Sequence, residues 1–343
     1  ERENERGLAH FVEHMAFNGT EGYDKNSIVD YLENVGMSFG PDINAYTSFD
    51  ETVYSLDLPT DSTETLEKGF DILREWASRI AFDPEEVEKE RGVIVEEWRS
   101  GRGAGARLRD KWWPVLAKGS RYAERLPIGL MEIVKNAPAS RLEDFYRRWY
   151  RPGLMAVVVV GDMEKAHAVE LIEKNFSGSF APADGDGAGG GNAANGTAGE
   201  GSAAKGVAAA ADDEETAERP SFELPSPQES RVVVAKDPEA SNLHVRIAYL
   251  QDPFVSETER DYRLSLAMRL YRQMVSMRLS EIARGEDPPI INGYFSRGPL
   301  VREKDAVFWG AVAYEGRIDT ALRVLAEEER RIGLFGFTEG ELE

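Results

Sequence analysis

Between residues 52 and 58 apolar and polar side chains alternate with period two, which predicts a strand with one buried face, and Pro59 ends it. Strand character begins earlier, near Tyr46. Leu66, Phe70, Leu73 and Trp76 instead recur at helical spacing and predict a helix over 62–80, opened by a capping box of Asp61 with Glu64. Asp83-Pro84-Glu85-Glu86 is a stronger start still, with an N-cap, a proline at the first helical position and acids in the first turn. The helix it opens reaches about Ser100, and its apolar stripe is Val87, Ile94 and Trp98. Two shorter helices lie upstream, one from about Gly7 to Asn18-Gly19 and one over 25–35. Downstream the pattern predicts helix over 143–150, a buried strand over 155–160 and a helix over 164–175. The last segment reads as strands over 231–235, 242–250 and 306–314, with helices over 257–283 and 317–332.

From about 182 to 220 this patterning collapses into Gly, Ala, Asp, Glu and Asn, a composition that cannot bury a core and reads as a disordered linker. Three segments follow: 1–181, the linker 182–220, and 221–343. The two flanking segments echo each other. In the first, a helix leads into Phe82-Asp83-Pro84-Glu85-Glu86-Val87-Glu88; in the last, a helix leads into Phe337-Thr338-Glu339-Gly340-Glu341-Leu342-Glu343. The fold class this implies is α+β, a duplicated layered domain with an antiparallel-rich sheet and helices packed on one face. The second copy stops as its long helix begins.

Composition narrows the chemistry. The chain has no cysteine, so any metal must be held by His, Asp or Glu. This fits an intracellular or organellar protein and leaves the periplasm open. A net charge of −21 disfavours nucleic acid and anionic membranes as partners. The longest apolar run, over 154–160, is far too short to span a bilayer. The chain starts at Glu1 without Met or a signal segment and reads as an internal fragment.

His10-Phe11-Val12-Glu13-His14 places two of the 4 histidines on one helical turn. Spacing of i and i+4 puts both imidazoles on one face, able to meet a single ion, with Glu13 beside them. The pattern H-x-x-E-H is the inverted form of a zinc-peptidase signature. A catalytic zinc takes three protein ligands and keeps one position open, so a third ligand is required. The helix after Asp83 offers Glu85, Glu86, Glu88, Glu90, Glu96 and Glu97. Of these, Glu90 and Glu97 fall on the apolar stripe, where a carboxylate is costly unless paired or bound to metal. They are separated by roughly 10 Å along the axis, too far for both to ligate one ion. Periodicity leaves the choice between them open. His167 and His244 stand alone, Trp112-Trp113 reads as packing, and Arg102, Arg107 and Arg109 read as a solvated face.

The H-x-x-E-H helix followed by Glu90-Arg91-Gly92-Val93-Ile94-Val95-Glu96-Glu97 resembles the insulinase/pitrilysin family of zinc metallopeptidases, which includes the mitochondrial and plastid processing peptidases. Gly7-Leu8-Ala9-His10, Asn44-Ala45-Tyr46-Thr47-Ser48 and Trp149-Tyr150-Arg151-Pro152 resemble it too. The wording of 15–20 and 126–129 is most similar to the long "zinc protease" branch of bacteria and plants. The resemblance implies a pitrilysin-like fold and one Zn2+ per chain, held by His10, His14 and Glu97, with Glu90 supporting a ligand from behind. It implies Glu13 as general base in a zinc-dependent endopeptidase that hydrolyses peptides or unfolded polypeptide with metal-activated water. Asn44 and Ala45 would bind substrate as an added strand. A further implied partner is the missing C-terminal half of the same protein, or a partner subunit. Residues 221–343 lack the motif and would be a non-catalytic copy. The alternative is a zinc-binding or peptide-binding scaffold without catalysis.

Overall fold

Helix α1 (Leu8–Met15) turns Leu8, Phe11, Val12 and Met15 inward, at spacings of three and four, and all four are fully buried. Its first N–H groups are capped from a distance. The Glu1 carboxylate accepts from the amides of Gly7 (2.9 Å) and Ala9 (3.1 Å). The computed structural model describes residues 1–38, 40–177 and 221–342. The linker expected over 182–220 lies outside the described residues.

The chain packs as two compact units. The first comprises Glu1–Thr47, Thr52–Val93 and Leu130–Pro220; the second comprises Ser48–Glu51, Ile94–Gly129 and Ser221–Glu343. The division falls inside α4 (Pro84–Ser100), which runs on without a break and is therefore treated whole.

In the first unit α1 is followed by α2 (Ser27–Asn34) and a hairpin of β1 (Ile43–Thr47) and β2 (Thr52–Leu56), antiparallel with Thr47 opposite Thr52. Helices α3 (Thr63–Ser78) and α4 come next. The α3 cap lies one residue beyond the expected Asp61: the Ser62 hydroxyl accepts from the Thr65 amide at 3.3 Å. Asp83 caps α4 as expected, accepting from the amides of Glu85 (2.8 Å) and Glu86 (3.1 Å). After α5 (Ala104–Leu116) come α6 (Met131–Asn136), α7 (Ala139–Trp149) and α8 (Lys165–Phe176). Helix α1 packs on α7 and on the hairpin, and α3 packs on α8.

The expected buried strand over 155–160 does not form. The segment is extended, but Val158 and Val160 are 80% and 92% exposed, and no strand pairs with it among the described residues. An apolar run specifies a strand only when a partner edge satisfies its backbone. The expected strand over 231–235 fails in the same way, with Val232 and Val234 exposed.

The second unit holds a three-stranded antiparallel sheet ordered β3-β5-β4, from β3 (Leu243–Gln251), β4 (Asn292–Val301) and β5 (Lys304–Ala313). Strand β4 was not expected from the sequence. Helices α9 (Glu259–Ala283) and α10 (Ile318–Phe335) pack on the sheet around Val275, Leu279, Phe295, Trp309 and Leu325. The α9 cap is a reciprocal pair, Thr258 with Asp261. Gly310 in β5 leaves the space that the Tyr294 ring fills; a Cβ there would collide with it. The sequence echo has a structural counterpart. Helix α10 leads through Phe337 into α11 (Glu339–Leu342), as α3 leads through Phe82 into α4. Helix α5 in this unit buries Trp113, whose indole N–H donates to the Tyr122 carbonyl at 2.7 Å. Arg107 is not merely solvated: it makes a bidentate pair with Asp237, 2.7 Å to each oxygen. The architecture is α+β with small antiparallel sheets.

Candidate metal centre

The apolar face of α1 is committed to the core, so the other face carries His10, Glu13 and His14. The two imidazoles meet edge to face with ring centroids 4.7 Å apart. Both are half-buried, and Glu13 is buried. Burial and the neighbouring His14 push the His10 pKa down to about 4, so its imidazole is neutral, the form that ligates a metal, throughout the physiological range.

Helix α4 brings the acids. One ligand atom from each of His10, His14 and Glu97 lies within 4.8 Å of the others. Donors sharing one tetrahedral zinc at about 2.1 Å stand about 3.4 Å apart, so small side-chain rotations suffice. Two imidazoles and one carboxylate are a donor set of catalytic zinc sites, which take a water in the fourth position. The residues fit the ion.

Glu90 is about two turns nearer the start of α4, and it does not enter that cluster. Its Oε1 accepts from His14 Nδ1 at 2.7 Å, and its Oε2 accepts from the Asn18 amide at 2.8 Å. Asn18 also donates to the His14 carbonyl at 3.1 Å. A carboxylate on Nδ1 fixes the proton there and leaves Nε2 as the donor toward a metal. Burial by itself would raise the Glu90 pKa, but the bonds from His14 and Asn18 outweigh it and hold the carboxyl below its ordinary value.

The inward stripe expected on α4 needs correcting. Val87 and Ile94 are buried, but Glu97 is exposed, and the buried polar member is Arg91. Val87, Arg91 and Ile94 follow spacings of four and three, so the true inner face lies slightly to one side of Glu90 and Glu97. Arg91 donates to the carbonyls of Val134 and Ala137 (2.7 Å to the latter) at the end of α6. It also pairs with Glu88 at 2.8 Å, and its guanidinium lies 5.4 Å from the Phe11 ring centroid. It thus ties α4 to α1 and α6. Sequence reading passed it over because an arginine in a helix reads as solvated.

Thr47 is a second residue the sequence did not single out for a role. Its hydroxyl donates to Glu13 Oε2. Asn44 and Ala45 stand three and two positions before it on β1, whose edge away from β2 carries no strand among the described residues. Asn44 is exposed, and its Oδ1 accepts from the Ala45 amide at 2.9 Å.

Residues 1–102 match the family model for insulinase (Peptidase family M16), and residues 136–343 match that for the Peptidase M16 inactive domain. The chain belongs to the Peptidase M16 (insulinase) family, a family of zinc proteases. It is 36% identical over 290 residues to the zinc protease PQQL-like of Arabidopsis thaliana, covering 84% of this chain and 27% of that one. It is 45% identical over 177 residues to the probable zinc protease PqqL of Haemophilus influenzae, covering 52% of this chain and 19% of the relative. The crystal structure of the first half of the periplasmic protease PqqL from Escherichia coli superposes with a TM-score of 0.75 at 31% identity, covering 99% of this chain and 66% of that chain. The chain therefore spans about a quarter of the plant relative and a fifth of the H. influenzae one. Among the described residues no helix is long and apolar enough to cross a membrane.

Proposed function

We propose that this chain carries the zinc site of an endopeptidase that hydrolyses peptides or unfolded polypeptide. The observation that carries the reading is the convergence of His10, His14 and Glu97 within 4.8 Å, with the Glu13 carboxylate on the same helix face. His10, His14 and Glu97 would hold Zn2+, and Glu90 would orient His14. When bound, the ion supplies a Lewis acid for the scissile carbonyl and makes water nucleophilic at neutral pH. Glu13 takes the proton from the attacking water and returns it to the leaving amine. Substrate adds as a strand along β1, with Asn44 Oδ1 yielding the Ala45 N–H to a substrate carbonyl.

Residues 1–181 are the catalytic part of this proposal. Residues 221–343 lack the motif, and the match of 136–343 to an inactive-domain model favours a structural role for them. Parts of the longer protein beyond this chain, or a partner subunit, would complete the substrate enclosure. The test is Glu13→Gln in the full-length protein. Zinc content should stay at one per chain while chelator-sensitive cleavage of an unfolded peptide falls by at least about 100-fold. Undiminished cleavage by this variant removes Glu13 from the role. Zinc binding without chelator-sensitive cleavage in the wild type would favour the scaffold reading.

A further inference from the structure

The general base proposed above ends a line of hydroxyls that runs back into the first unit. Register places Thr47 opposite Thr52, and their Oγ1 atoms are 3.2 Å apart. Tyr54 follows Thr52 by two residues and so shares its face of β2. The Tyr54 and Tyr150 hydroxyls are 2.7 Å apart, and Tyr150, just past the end of α7, is also in hydrogen-bonding contact with Thr52. Burial raises both tyrosines, Tyr54 well above its ordinary value and Tyr150 to about 12, so each keeps its proton at neutral pH.

Each hydroxyl has one proton to give, which sets the direction of the whole line. An ionised Glu13 only accepts, so Thr47 must donate to it. Thr47 has then spent its proton, and Thr52 must be the donor in the Thr47–Thr52 contact. The same count makes Tyr150 the donor to Thr52 and Tyr54 the donor to Tyr150. Four O–H dipoles align head to tail toward one carboxylate oxygen, each strengthening the next.

We propose that Thr47 is a positioning residue for Glu13, and that Thr52, Tyr150 and Tyr54 hold its hydroxyl in the donating orientation. Thr47 engages Oε2 and thereby sets which carboxylate oxygen is presented to the attacking water. A side chain with three rotatable bonds is reduced to one pose before substrate arrives. The proposal deepens the peptidase reading and rests on Glu13 having the role given above.

The experiment uses the full-length, zinc-loaded protein with Thr47→Val, which keeps the shape and removes the donor, and Thr47→Ser, which restores it. Thr47→Val should lower kcat by about 10- to 100-fold with KM within about twofold and zinc content unchanged, and Thr47→Ser should recover most of the loss. Tyr150→Phe should lower kcat less, by a few-fold, because Thr52 loses one partner while Thr47 keeps its bond. A kcat for Thr47→Val within twofold of wild type overturns the proposal, as does a loss that Thr47→Ser fails to recover. A second readout does not need turnover. Infrared difference spectra of Thr47→Val against wild type should show a shifted carboxylate stretch that disappears when the pair is compared in a Glu13→Gln background. No shift, or one that persists in that background, also overturns it. A wild type inactive on peptides defeats the peptidase reading, while the infrared pair still decides whether Thr47 grips Glu13.

Discussion

Removing the charge of Glu90 while keeping its shape isolates what it does for His14. The carboxylate accepts from His14 Nδ1 at 2.7 Å and is itself held by Asn18 at 2.8 Å. A hydrogen bond to a charged group contributes about 1.5–3 kcal/mol, and one between neutral groups about 0.5–1.5 kcal/mol. Glu90→Gln keeps an acceptor but loses the charge, so about 1–1.5 kcal/mol should go. At about 1.4 kcal/mol per decade this is roughly a tenfold weaker zinc Kd. Glu90→Ala removes the bond and lets the imidazole turn, and the loss should approach about 100-fold, the upper end for partners that orient a metal ligand. Asn18→Ala should cost only a few-fold, since it loosens Glu90 without removing it. Competition against a chromophoric zinc chelator at pH 7.5 measures all three, with circular dichroism confirming the fold. Zinc affinities of Glu90→Gln and Glu90→Ala both within twofold of wild type would refute the reasoning. A loss for Glu90→Ala exceeding that of Glu97→Ala would exchange the two roles.

Two further outcomes follow from the same geometry. The metal-free protein should lose stability as pH falls from about 6.5 toward about 4, because unfolded His10 takes up a proton that folded His10, pushed down to about 4, refuses. The unfolded state binds more protons across that window, so stability rises with pH there, and thermal melts of the chelator-treated protein between pH 4.5 and 7 should show it. Arg91→Met keeps the bulk of the side chain but strands the carbonyls of Val134 and Ala137, each worth about 1–3 kcal/mol when buried without a donor, so urea unfolding should report a loss of about 2–6 kcal/mol. A loss under about 0.5 kcal/mol would mean that the α6 end finds other partners.

What could be read from the sequence was whatever a single element sets by its own periodicity. Helical pitch brings His10 and His14 together whatever else the chain does, and it sends Leu8, Phe11, Val12 and Met15 to the opposite side. Asp83 caps α4 because its carboxylate reaches amides two and three residues ahead. These contacts are short in sequence, so covalent geometry decides them. The same reasoning failed where an element needs a distant partner. The valines over 155–160 have strand composition, yet composition supplies no neighbouring edge.

Helix periodicity narrowed six glutamates to Glu90 and Glu97 but could not rank them, since both sit in nearly the same direction on α4. Tertiary packing separates them: Glu90 meets His14 and Asn18, while Glu97 reaches the cluster of histidines. Only the folded chain shows that Arg91 fills the inner face between Val87 and Ile94, and that Thr47 donates to Glu13. The physical reason is common to these cases. Each depends on groups 34 to 87 positions apart in sequence meeting within 4.8 Å in space. A shift of α4 or β1 by one residue would rotate a different side chain into place while leaving every local pattern in the sequence unchanged.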